Sequence, residues 1–161
     1  MAKLAASAYG QALYELAVES GSAAEYLDEA QIVLEVFKEN GELFDFLNNP
    51  KISKTNKTEA MESIVDSRVR KDITGLLVLA VEKDRQNELS GILEYFIAKT
   101  KEYLKIGIVY VTTPMELSAQ QKADVEKKLS DTTGFTTLEM NYSIDKSLIG
   151  GMVIRIGDRV V

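Results

Sequence analysis

Near Gly107 the spacing of apolar residues changes, and this change restricts the fold more than any other feature of the chain. Before it, apolar residues recur every three or four positions; after it, they alternate or run together in short β-branched stretches. Helical spacing buries one side of a helix, whereas alternation buries one face of a strand. The chain therefore reads as two modules, an all-α bundle of about six helices over 1–105 and a small α/β module over 106–161.

In the first module, Ala5, Ala8, Tyr9, Ala12, Leu13, Leu16 and Ala17 form a stripe between Lys3 and Ser20. Its many alanines predict close approach by another helix, leaving a shallow groove between Tyr9, Leu13 and Leu16. Ser22 and Glu25 have the spacing of a capping box, opening a helix with Tyr26, Ala30, Val33, Leu34 and Phe37 inward. Asn40-Gly41 is expected to stop it with residues that tolerate positive φ. A short helix follows over 42–47, with Leu43, Phe44 and Leu47 inward, and Asn48-Asn49-Pro50 ends it. Ser53 is the expected cap of a helix bearing Ala60, Met61, Ile64 and Val65. The next, from near Arg68, places Val69, Ile73, Leu76, Leu77 and Ala80 on one stripe, but Val78, Leu79 and Val81 extend the apolar surface around it. Such a helix is central, or it is covered on its second side by a partner. Leu89, Ile92, Leu93, Phe96, Ile97 and Leu104 complete the bundle.

The second module opens with 108–113, β-branched and aromatic between Gly107 and Pro114, which predicts a strand buried on both faces. Ser118 and Gln121 form a second capping box, and Ala119, Val125 and Leu129 are the expected inner face of the helix it opens. Leu138, Met140 and Tyr142 alternate with polar residues, 152–156 returns as a strand, and Gly157-Asp158 turns the chain toward Val160-Val161. This is a β-α-β-β order that ends without an element to cover its sheet, which reads as a truncated module.

Composition narrows the chemistry. Among 161 residues there is no cysteine and no histidine, which removes disulfides, thiol nucleophiles, imidazole bases and the commonest zinc ligands. A formal net charge of -6 disfavours nucleic acid. The longest apolar run, Leu76 to Val81, is far short of the roughly 20 residues that cross a bilayer, so any membrane association runs through another protein. The carboxylates of the first two helices read as solvated helix faces rather than a catalytic pair. Gly150-Gly151 precedes a strand and lacks a phosphate-loop continuation, so it reads as a turn. No catalytic residue, metal site or cofactor is expected.

Several segments in order resemble one family: Ala8-Tyr9-Gly10-Gln11-Ala12-Leu13-Tyr14-Glu15-Leu16-Ala17; Asn49-Pro50 with Ile52 and Lys57; Leu76-Leu77 leading to Asp84-Arg85; the strand from Val109 to Thr113; Pro114-Met115-Glu116-Leu117-Ser118; and 144–151 leading into 154–158. The chain resembles the delta subunit of bacterial F-type ATP synthase, which is related to the mitochondrial oligomycin-sensitivity-conferring protein. The resemblance implies a non-catalytic stator part whose helical half grips the N-terminal helix of an alpha subunit and whose second half meets the b subunits of the peripheral stalk. It implies a cytoplasmic position, peripheral on the inner face of the plasma membrane. The implied grip lies between the first and fifth helices. Tyr9 falls at the family's aromatic position and Leu79 at its aliphatic contact, with Ala12, Leu13, Leu16, Leu76 and Ala80 as neighbours; no stalk-contact residues are assigned. The family continues past Gly157-Asp158 into a further helix. The rivals are a helical adaptor unrelated to ATP synthase and, more distantly, a carboxylate-dependent hydrolase.

Overall fold

The computed structural model describes residues 2–65, 68–157 and 159–160, with side chains from residue 6 onward. The expectations for the side chain of Ala5, for Asp158 and for Val161 fall outside the described residues. The chain divides into two compact units, one up to Thr100 and one from Lys101 onward. In the first, α1 (Ala2–Glu19), α2 (Ala23–Glu39), α3 (Gly41–Leu47), α4 (Lys54–Val65), α5 (Lys71–Glu82) and α6 (Leu89–Tyr103, whose last residues pass the boundary) follow one another, with a 3-10 turn over Gln86–Glu88. Leu13, Leu47, Met61, Ile73, Leu77, Leu89, Ile92, Leu93 and Phe96 are its fully buried centre.

Two helix ends show how local sequence and chain path compete. Gly21 adopts φ 70°, and the N–H groups of Gly21 and Ser22 donate to the carbonyls of Val18 and Ala17, closing α1 with a left-handed cap. That cap uses the Ser22 N–H that Glu25 was expected to bind. Ser22 takes the N-cap position of α2, but its side chain makes no capping bond. Asn40 is also not in the left-handed region: its φ is -123°, and Gly41 is the first residue of α3. The break comes instead from Asn40, whose side-chain amide donates to Val36 O at 2.8 Å. Ser53 behaves as expected, accepting from the Asn56 N–H at 3.2 Å.

In the second unit, β1 (Ile106–Thr113), α7 (Ala119–Thr132), β2 (Thr137–Ile144), β3 (Val153–Ile156) and β4 (Arg159–Val160) build a sheet of order β2-β1-β3-β4. β1 and β2 are parallel over eight residue pairs, from Ile106↔Thr137 to Thr113↔Ile144; β3 is antiparallel to β1, and β4 to β3. The capping box at Ser118 forms in full: Gln121 N–H donates to Ser118 Oγ at 3.1 Å, and Ser118 N–H to Gln121 Oε1 at 2.8 Å.

β1 is not buried on both faces. Gly107, Val109, Val111 and Thr113 are buried, whereas Tyr110, between them, is exposed. Helix α7 accounts for the asymmetry, because it covers one face only: Lys122 lies 4.8 Å from the ring centroid of Tyr142, the register partner of Val111. On the other face Arg155 lies 4.7 Å from the centroid of Tyr110, and Lys101 pairs with Glu139 at 2.7 Å. Ala119 is exposed, and the inward stripe of α7 is Lys122, Val125 and Leu129, all half-buried. Steps of three and four residues keep these three on one side, while Ala119 sits at the solvent-facing cap.

Gly107 has a steric role. A Cβ there would meet Phe135 Cδ2 at 2.6 Å, Phe135 Cγ at 2.7 Å and Leu138 Cδ2 at 3.0 Å. Gly151 takes φ 73° in the exposed turn before β3, in keeping with the turn reading. In the same loop the hydroxyl and N–H of Ser147 donate to Asp145 Oδ1 and hold that carboxyl below the ordinary aspartate range.

Candidate functional site: the seam between α1 and α5

Helices α1 and α5 pack side by side and antiparallel. At one end the guanidinium of Arg85, just past α5, lies 5.9 Å from the centroid of the Tyr9 ring. At the other, Ser20, just past α1, and Asp72, in the first turn of α5, both approach the hydroxyl of Tyr26. The end of α5 is shaped by Asp84 at φ 58°, which lets the Arg85 N–H donate to Ala80 O at 2.8 Å and turns Arg85 back toward α1.

The seven residues expected at this seam fall into three groups. Leu13 and Ala80 are fully buried and hold the helices together from inside. Tyr9 and Leu76 are half-buried. Ala12 is exposed, and Leu16 and Leu79 keep 44% and 38% of their surface in water. For two leucines on packed helices this is a large apolar exposure. Helix α5 is thus central without being covered all round: Ile73, Thr74, Leu77, Ala80 and Val81 are buried and Leu79 is not. A shallow, solvent-open depression of about 430 Å³ is lined by Ala12, Tyr14, Glu15, Leu16, Val18 and Glu19.

Polar contacts tie the start of α5 to α2. Tyr26 Oη donates to Asp72 Oδ2 at 2.6 Å, Arg70 pairs with Glu29 at 2.9 Å, and the Arg70 guanidinium lies 4.9 Å from the Tyr26 ring centroid. The bond to Asp72, and then burial, raise the Tyr26 phenol above its ordinary value. Next to Tyr9 on α1, Gly10 is buried against α6. A Cβ there would meet Tyr95 Cδ1 at 2.5 Å and Ile92 O at 3.1 Å, while Tyr95 Oη donates to Gln11 Oε1 at 3.1 Å. Sequence reasoning missed Gly10, Arg85 and the Tyr26 cluster as determinants of this site. Only the glycine within the alanine-rich helix carried a local signal; the others depend on contacts between distant segments.

Among the described residues no group of three or more His, Cys, Asp or Glu side chains is placed to hold a metal ion. No helix among them is long and apolar enough to cross a membrane. The arrangement is one of packed helices and exposed apolar side chains, suited to contact.

Comparison with known proteins agrees with this. The family described as "ATP synthase delta (OSCP) subunit" matches residues 5–161. ATP synthase subunit delta of Lachnoclostridium phytofermentans is 48% identical over 161 residues, covering 100% of this chain and 88% of that protein. The subunit delta of Halalkalibacterium halodurans is 32% identical over 155 residues, covering 96% and 85%. A chain from the cryo-electron microscopy structure of the Toxoplasma gondii mitochondrial ATP synthase hexamer shares the fold with TM-score 0.71 at 18% identity, over 97% of this chain and 88% of that one. A match of this extent removes the unrelated adaptor and the hydrolase. The chain belongs to the ATP synthase delta (OSCP) subunit family and is a non-catalytic stator component of F-type ATP synthase.

Proposed function

We propose that the helical unit holds the N-terminal helix of an alpha subunit along the seam between α1 and α5, while the sheet unit meets the b subunits of the peripheral stalk. The protein would thereby sit peripherally on the cytoplasmic face of the plasma membrane and resist rotary torque. The observation that supports this reading is the exposure of Ala12, Leu16 and Leu79 on two neighbouring helices whose inner residues Leu13 and Ala80 are buried. An amphipathic helix laid along such a surface gains a large apolar contact from a small protein and needs no chemistry. Tyr9, already beside Arg85, offers an aromatic anchor at one end, and Leu79 an aliphatic one on α5.

Calorimetric titration of the full chain with a peptide of the alpha-subunit N-terminal helix tests the proposal. Tyr9→Ala and Leu79→Arg should each weaken binding about tenfold or more, a loss of about 1.4 kcal/mol per decade, with helical circular dichroism unchanged. Wild-type affinity in both variants would refute the seam as the binding site.

A further inference from the structure

Charge along the exposed face of α1 specifies the occupant of the seam more closely than apolar exposure does. Between Lys3 and Lys38 the chain has no lysine or arginine, yet it carries Glu15, Glu19, Glu25, Asp28, Glu29 and Glu35. Glu15 and Glu19 are exposed and one helical turn apart, and they line the same depression as Ala12 and Leu16. Among the described residues Glu15 accepts only from the neutral Gln11 amide, at 3.3 Å, and neither glutamate enters an ion pair. Like charges four residues apart on a helix repel, so the bundle gains no stability from this pair.

Resting on the seam reading above, we infer that Glu15 and Glu19 are specificity-determining residues, selecting a docked amphipathic helix that carries lysine or arginine beside its apolar stripe. A cation over this rim relieves the repulsion between the two carboxylates while the apolar stripe covers Leu16. Rim charges of this kind act on encounter rate, register and rejection of wrong partners more than on total affinity. The same acidic face opposes the other occupants of an apolar groove. A second copy of this chain would bring the same carboxylates against themselves, and an anionic lipid surface or nucleic acid would be repelled.

The test uses the full chain and two designed helical peptides with the same leucine stripe, one flanked by lysine and the other by glutamate. At low salt the lysine peptide should bind about tenfold tighter, and the two affinities should converge as salt rises. The double variant Glu15→Gln/Glu19→Gln should abolish the preference, and Glu15→Lys/Glu19→Lys should reverse it, with circular dichroism unchanged in both. Equal affinities for the wild-type chain would overturn the inference while leaving the seam reading intact. A preference that persists in the glutamine variant would also overturn it, assigning the effect to overall charge. If the lysine peptide binds selectively but ignores Tyr9→Ala and Leu79→Arg, the seam reading fails instead, and failure of both peptides to bind overturns both.

Discussion

Tyr26 keeps only 3% of its surface exposed and donates to Asp72 at 2.6 Å. A hydrogen bond to a charged acceptor contributes about 1.5–3 kcal/mol when both groups are shielded; Asp72 is exposed and keeps part of its hydration, so the lower end applies. Tyr26→Phe is expected to cost about 1–2 kcal/mol in urea denaturation at neutral pH. Because the folded phenol is raised above its ordinary value of 10.0, the wild-type advantage is complete below that value and is lost as pH rises through the folded one. The difference between wild type and variant should therefore shrink at alkaline pH; a difference that stays constant there would contradict the assignment. Lys105 poses the opposite problem, holding φ 57° at the entry to β1. The left-handed region costs a side-chain-bearing residue about 1–2 kcal/mol, and glycine gives back about 0.5–1 in chain entropy. Lys105→Gly should thus stabilise the protein by about 0.5–1 kcal/mol, read as a higher denaturation midpoint. Asp84, at φ 58°, should gain less from the same change, because its pairing with Lys54 at 3.1 Å would be lost.

Two sequences of the same form, Ser22-Ala23-Ala24-Glu25 and Ser118-Ala119-Gln120-Gln121, behave differently at the scale of elements. The second forms both reciprocal bonds; the first forms neither, because the glycine cap of α1 has already taken the serine N–H and leaves Ser22 at ψ 31° rather than in the extended conformation that Ser118 adopts. The local pattern thus locates a helix start but does not decide which donors remain free there. The alanine-rich stripe of α1 is a similar case. Its alanines were expected to admit a close helix neighbour, yet Ala8 and Ala12 are exposed, and the close approach to α6 is made by Gly10, against Tyr95 and Ile92, and by Ala6, facing Gly91, both outside that stripe. Gly10→Ala gains about 1 kcal/mol in helix propensity but forces a contact of 2.5 Å to open, and overpacking of this kind costs about 1–3 kcal/mol. The expected net effect is destabilisation by up to about 2 kcal/mol in chemical denaturation, and a stabilised variant would show that Tyr95 swings aside without cost. In the sheet, Val109 and Val111 were correctly expected inside, but Tyr110 was not expected outside. A run of apolar residues cannot say whether one or two layers will cover it.

Across the whole molecule the core is unevenly shared. Of the described apolar residues that are buried, only Val109 and Val111 belong to the unit from Lys101 onward; the rest lie in the bundle. A unit with so few buried side chains has little to offset the entropy of ordering its chain. Scanning calorimetry of the full chain should resolve two transitions, with the sheet unit melting first. Gly107→Ala, which crowds Phe135, should lower the first alone, and Leu93→Ala, which leaves a cavity costing about 2–5 kcal/mol, should lower the second alone. A single transition lowered by either variant would mean that the units unfold together. The succession of helices and strands, the break near Gly107, the Ser118 cap and the absence of thiol and imidazole chemistry were legible from the order of residues. Each of these depends on residue identity or on neighbours within a few positions. Tertiary structure alone decided that Leu13 and Ala80 are buried while Leu16 and Leu79 stay exposed, that Arg85 lies over Tyr9, and that one face of β1 is covered. Periodicity marks the side of an element that is apolar, but the part of that side left in water depends on which distant segments pack against it.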